Sequence, residues 1–238
     1  MAVQKARKQV AALLSAQVEQ VFFTSGATES NNLVIWGRFK KCWNGGQPPH
    51  FVTSNVEHKA VLEPIQSLAE WGAEVTILEA DSYGQIQPES VQKALRPNTA
   101  LVSLMMANNE IGTLNPIAEI AKVVKGHGAL LHTDAAQAAG KIPIDWNSLG
   151  ADFLSLSGHK IYGPKGVGAL VCANTRPREQ LEPLFYGGEQ EQGLRPGTLN
   201  VHDIVGLGKA CEICHSDGET EQQRTRELRD RIIDEVLT

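Results

Sequence analysis

Seven short runs of apolar and β-branched residues, at 20–24, 50–54, 74–78, 100–104, 129–133, 152–156 and 167–171, alternate with longer stretches of helical spacing. That alternation leaves few options: strands joined through helices run parallel, and a parallel sheet buries both faces under those helices. The stretches 30–41, 60–71 and 117–126 have helix length and breakers at their ends, as crossover connections require. The expectation is an α/β fold of three layers, helices on either side of a mostly parallel sheet. At 42% hydrophobic residues over 238 positions, the chain can fill one such core. Internal repeats and Ser/Pro/Gly linkers are lacking, although 187–197 reads as a long glycine-rich loop. A helix is expected from about Val201, and an amphipathic stretch at 221–237 runs on without a terminating glycine or proline, as an interruption would.

Charge and cysteine content narrow the function classes. A net charge of -5 supplies no basic field for nucleic acid or an anionic membrane surface. The longest apolar stretches, such as 167–173, fall short of the roughly 20 residues of a membrane-spanning helix. Four cysteines are too few to staple a chain of this size, and no secretory leader precedes them, so a reducing, cytoplasmic setting is expected. Cys211 and Cys214 form a lone CxxC with no second pair to complete a metal site. On a helix that spacing puts two small apolar groups on one face, so core packing is the expectation.

Ligands of open α/β sheets lie beyond the carboxyl ends of the strands, so the residues there carry the functional argument. The first run leads into Thr24-Ser25-Gly26-Ala27-Thr28-Glu29-Ser30, small residues opening a helix whose free N–H groups suit a phosphate. An ordinary cap by Ser25 or Thr28 is the alternative. His58, in Glu57-His58-Lys59, begins the next helix, either as a cap or stacked on a flat ring. Asn108-Asn109-Glu110-Ile111-Gly112 and His132-Thr133-Asp134-Ala135-Ala136-Gln137 bring amides and a carboxylate to neighbouring strand ends. Asp134 suits the nitrogen of a pyridine ring, or the cap of a helix starting at Ala135. Ser155-Leu156-Ser157-Gly158-His159-Lys160 and the turn-rich Ile161 to Gly166 would hold a lysine rigidly enough to form a Schiff base. Neither GxGxxG nor a P-loop pattern is present, which leaves a nucleotide-binding α/β fold as a remote alternative.

Taken together and in this order, Ser25 to Asn32, Glu57-His58-Lys59, Asn108 to Gly112, Asp134 to Gln137 and Ser155 to Gly168 closely resemble the cysteine desulfurases. These are fold-type I, class V pyridoxal phosphate enzymes. The resemblance implies pyridoxal 5'-phosphate as cofactor, with Ala27 and Thr28 holding its phosphate, helped by Ser157 and His159. It implies Lys160 as the Schiff-base lysine, His58 stacked on the ring, Asp134 on the ring nitrogen, Gln137 beside the phenolic oxygen and Asn109 touching cofactor and substrate. Thr198, in Arg195-Pro196-Gly197-Thr198, matches a threonine that reaches the phosphate of a partner subunit, which implies a homodimer. The implied reaction converts L-cysteine to L-alanine and passes sulfur, as a persulfide, to iron–sulfur cluster assembly or another acceptor protein.

The sequence also departs from the family. The nucleophilic cysteine and the arginine that binds the substrate carboxylate are expected beyond residue 238, and about fifty residues of a family member are missing before Met1. The implied organisation is a large cofactor domain over 1–205, N-terminally incomplete, with the start of a small C-terminal domain over 206–238. Sulfur transfer is then expected to be impaired. The alternatives are a catalytically silent cofactor-binding or dimerisation module, a class V aminotransferase, and a cysteine or selenocysteine lyase that needs no nucleophilic cysteine.

Overall fold

A computed structural model describes residues 1–43 and 45–237. The strands are β1 (Val21–Thr24), β2 (His50–Ser54), β3 (Glu74–Leu78), β4 (Thr99–Ser103), β5 (Leu130–Asp134), β6 (Phe153–Ser157) and β7 (Gly168–Cys172). Each lies within one residue of an expected run. They form one sheet in the order β1-β7-β6-β5-β4-β2-β3. β2 to β6 pair in parallel, whereas β7 is antiparallel to both β1 and β6. Because β7 is reversed against both neighbours, β1 points the same way as the other five. Six strands therefore end on one rim.

The helices are α1 (Ala2–Leu14), α2 (Ala27–Cys42), α3 (Lys59–Leu68), α4 (Pro88–Ala94), α5 (Ile117–His127), α6 (Trp146–Leu149) and α7 (Val201–Leu237). Successive strand residues face opposite ways, so a strand covered on both sides must be apolar at consecutive positions. The chain meets this demand: Phe22, Phe51, Leu101, Phe153 and Leu170 pack with Leu33, Val34 and Phe39 of α2 and with Val61 and Ile65 of α3. Their neighbours Phe23, Val52, Val102, Leu154 and Val171 pack into the opposite cluster, with Val10 and Leu14 of α1, Ile120 and Val124 of α5 and Leu207 of α7. This is the three-layer α/β/α arrangement expected from the alternation.

A buried histidine ties three strands together across the sheet. Buried His132 on β5 bridges Ser103 Oγ on β4 (2.8 Å) and Ser155 Oγ on β6 (2.9 Å). Burial pushes its pKa down to about 3, so the ring is neutral and works as a strand tie.

One difference from the sequence reading affects the site. α2 begins at Ala27 rather than near 30, so the turn after β1 passes directly into a helix. α7 is a single helix that runs unbroken past residue 205, with Ile204, Leu207, Ala210 and Cys211 in the main core. Its later residues Leu228, Ile232, Ile233, Val236 and Leu237 are exposed. No helix among the described residues is long and apolar enough to cross a membrane.

The start of α2 is set by two glycines. Gly26, the N-cap, has φ 152° and ψ 178°, a region essentially reserved for glycine. A Cβ on Gly168 of β7 would lie 2.6 Å from Gly26 Cα and 2.5 Å from Leu156 O. Both atoms are backbone and cannot step aside cheaply. Gly168→Ala should therefore lower stability by about 1–3 kcal/mol, read as a reduced thermal midpoint. Gly126→Ala on α5, where a Cβ meets nothing within 4 Å, should instead stabilise by about 0.5–1 kcal/mol. Equal midpoints for the two variants would remove the packing argument.

Candidate active site

The common strand direction opens a cavity of about 670 Å³ at the rim. It is lined by the turn after β1 (Ser25 to Glu29), by Asn31 of α2, by His58, by Asn109 and by Asp134, Ala136 and Gln137 after β5. Ser157, His159 and Lys160 line it from the end of β6. All the sequence-derived site residues except Thr198 line this one space. Thr198 is exposed on the loop before α7 and contributes nothing to the cavity of its own chain.

The turn after β1 opens the start of α2 onto the cavity. No side chain caps α2, so the alternative of a cap by Ser25 or Thr28 is not what the chain adopts. The first-turn N–H groups and the helix dipole therefore face the cavity end of α2. Thr24 Oγ1 instead bonds Ser30 Oγ at 2.8 Å, which anchors the helix start to β1.

For His58 the capping reading is met. It is the N-cap of α3, its Nδ1 accepting the Ala60 N–H at 3.0 Å, and it also lines the cavity. That hydrogen bond leaves Nδ1 unprotonated and places any ring proton of the neutral form on Nε2.

Asp134 is almost fully buried at the cavity floor. Its Oδ1 accepts from Ala136 N (2.9 Å) and its Oδ2 from Asn31 Nδ2 (2.7 Å). Burial pushes the carboxyl above its usual range, opposed by those two donors and by His58 and Lys160 nearby. A turn rather than a regular helix follows it. Asp134 thus caps the turn locally while its buried carboxyl also lines the cavity.

Lys160 sits half-buried on a short 3-10 segment, Gly158–Ile161, that leaves β6 and ends at Tyr162 with φ 62°. Beside it His159 Nδ1 and Ser157 Oγ are 3.0 Å apart. Burial, then the charges of Lys160 and Lys165, push the His159 pKa down. Gln137 Oε1 accepts from Lys141 Nζ at 2.6 Å, which fixes which end of that amide is free. Asn109 donates to Glu110 at the exposed mouth.

Two residues gained no role from the sequence. Asn31 is fully buried, binds Asp134, and leaves its own Oδ1 without a partner. Its signal was a polar residue on an otherwise apolar helix face. Glu57 lies buried behind His58. Its Oε1 accepts from Ser54 Oγ (2.7 Å) and Met105 N (3.0 Å), and its Oε2 has no partner. Burial, with a further contribution from Asp134, pushes it up to about 8, so it is neutral at pH 7. Nothing local in the sequence distinguishes it from a surface acid.

The cysteines stand apart from the cavity. Cys172 and Cys211 are buried, Cys42 and Cys214 half-buried, and all four are free thiols. Burial raises each of them, Cys211 to about 12 with a contribution from Cys214. That leaves the CxxC as packing atoms.

Fold and site together define an open α/β protein with a ligand cavity where its parallel strands end. The chain belongs to the aminotransferase class-V family, whose profile matches residues 1–237. It is 51% identical over 216 residues to the mitosomal cysteine desulfurase of Trachipleistophora hominis, covering 91% of this chain and 49% of that protein. It is 48% identical over 231 residues to the cysteine desulfurase IscS of Acinetobacter baumannii (strain AYE), covering 97% of this chain and 56% of that protein. A solved structure of SspA in complex with cysteine matches with a TM-score of 0.84 at 45% identity, over 89% of this chain and 60% of the other. The chain spans about half the length of the curated relatives it matches.

The Glu57 geometry gives a pH dependence with a definite sign. Unfolded, a glutamate ionises near pH ~4.3; folded, Glu57 does so near about 8. Between these values the folded chain keeps a proton that the unfolded chain has lost, so stability from this group falls as pH rises. The thermal midpoint of Glu57→Gln relative to the unmodified chain should therefore climb from about pH 5 to about pH 8 and then level off. A flat difference across that range would show a carboxylate that is ionised throughout.

Proposed function

We propose that the rim cavity holds pyridoxal 5'-phosphate, with Lys160 as its covalent anchor, and that the whole protein acts on L-cysteine as a desulfurase. The observation that carries this reading is the convergence of Lys160, Asp134 and the uncapped start of α2 on one cavity. The residues fit the cofactor chemically: a desolvated carboxylate wants a cation beside it, and an uncapped helix start wants an anion. When bound, the cofactor supplies an electron sink for the electron pair left on a substrate α-carbon.

Each side chain then has a task. The N–H groups of Ala27 and Thr28, with Ser157 Oγ and His159, bind the phosphate. Asp134 keeps a proton on the ring nitrogen, and Asn31 orients Asp134. His58 covers the ring and Gln137 holds the phenolic oxygen with the amide end that Lys141 leaves free. Asn109, at the mouth, meets cofactor and substrate. Lys160 Nζ moves protons at the substrate α-carbon.

In the proposed net reaction, L-cysteine and an acceptor thiol give L-alanine and a persulfide, the sulfur passing on to iron–sulfur assembly or another acceptor protein. The acceptor thiol is not among the described residues at the cavity. Exposed Thr198 supports a homodimer in which it completes the phosphate site of a second copy. The same reading divides the chain into a large domain over 1–205 and the start of a small one over 206–238. Four free thiols accord with a reducing, cytoplasmic setting.

A second reading is favoured by one observation: neither a cysteine nor an arginine lines the cavity. On that reading the 238-residue chain holds the cofactor without turnover. Mixing the chain with pyridoxal phosphate and then sodium borohydride should fix the cofactor to Lys160, found by peptide mass mapping, and Lys160→Ala should escape labelling. A label elsewhere, or equal labelling of the variant, would overturn the anchor. Alanine and sulfide released from cysteine and a reductant separate the readings, since binding without product supports the silent one.

A further inference from the structure

Glu29 stands where an anion-binding turn should least tolerate it. It belongs to the first turn of α2 and lines the cavity beside Ser25, Gly26, Ala27 and Thr28. Its Oε2 accepts the Ser25 N–H at 2.9 Å, so it uses part of the donor set that an incoming phosphate would want. An ionised carboxylate here would also repel that phosphate through a partly desolvated path.

Arg195 answers this charge from far along the chain. Its Nε and Nη2 donate to the two Glu29 oxygens at 2.8 and 3.3 Å, a bidentate pair, with side chains 22% and 13% exposed. The guanidinium lies 5.5 Å from the Phe185 ring centroid, which shields it further. Burial by itself would raise the Glu29 carboxyl; the Arg195 and Ser25 donors outweigh it and hold the group below its usual range.

The loop is built to deliver this arginine. Glu191 and Gln192 adopt φ 49° and 58°, uncommon for residues with side chains. Glu191 is tethered there by Arg7 at 2.6 and 2.8 Å and by the Phe23 N–H at 2.8 Å. Gly197 N donates to Gln190 Oε1 at 3.0 Å and closes the turn around Arg195.

We propose that Arg195 is the charge-compensating residue of the phosphate cradle: by pairing with Glu29 it lets the start of α2 accept a dianion. The inference rests on the cofactor reading above and adds to it a residue that need not touch the phosphate. A direct phosphate ligand or a simple loop strap would also make Arg195 important, but neither would be bypassed by neutralising Glu29.

The test compares the unmodified chain, Arg195→Ala, Glu29→Gln and the double variant, each titrated with pyridoxal phosphate and with unphosphorylated pyridoxal. Arg195→Ala should weaken pyridoxal phosphate binding by about tenfold or more, and pyridoxal binding by less than about twofold. The double variant should regain most of the loss, and Glu29→Gln alone, which leaves the Arg195 charge unopposed, should bind pyridoxal phosphate at least as tightly as the unmodified chain. A double variant as weak as Arg195→Ala, or equal losses for both ligands, would overturn the proposal. Should the unmodified chain bind neither, the cofactor reading fails. The charge argument is then read from thermal midpoints in inorganic phosphate against chloride at matched ionic strength. A phosphate gain lost in Arg195→Ala and restored in the double variant supports it, and any other pattern refutes it.

Discussion

The shared direction of six strands is the constraint on which the rest depends. It is secured by the reversal of β7 against both β1 and β6, which lets β1 join the sheet edge while pointing like the others. Without that reversal the turn before α2 would open on the opposite rim from Asp134 and Lys160. Gly168 is the contact at which this topology becomes local geometry, because β7 passes against the backbone of Gly26 with no room for a side chain. The uncapped start of α2 and the lysine-bearing segment after β6 are brought together by strand pairing, not by attraction between themselves.

Around the cavity, charges are placed so that each needs another. Asp134 is desolvated and held by Asn31 and the Ala136 N–H. Glu57, near enough to Asp134 to feel its charge, is kept neutral by burial. Glu29 is ionised but matched by Arg195. His132 is neutral between two hydroxyls and leaves the potential of the site to the groups that line it. A floor that favours a cation and a helix start that favours an anion give the cavity a polarity along which a zwitterionic ligand can align.

α7 combines two environments in one helix. Its first turns belong to the core shared with α1, whereas Leu228, Ile232, Ile233, Val236 and Leu237 carry apolar surface into solvent.

The sequence by itself determined the strands, most helices and the layer architecture, because a doubly covered parallel sheet requires apolar residues at consecutive positions and such runs are visible locally. It also brought the segments bearing Lys160, Asp134, His58, Gln137 and Asn109 to notice, because polar residues clustered at the ends of apolar runs are conspicuous, while the roles of the individual residues and of the turn at 27–28 came from the resemblance to the cysteine desulfurases. It misplaced the start of α2, since the backbone of Gly26 is decided by contact with Gly168, 142 positions away. Nor could it assign Asn31, Glu57 or the Glu29–Arg195 pair. Whether an acid is ionised, neutral or compensated depends on burial and on partners brought from remote segments, and only the tertiary structure supplies either.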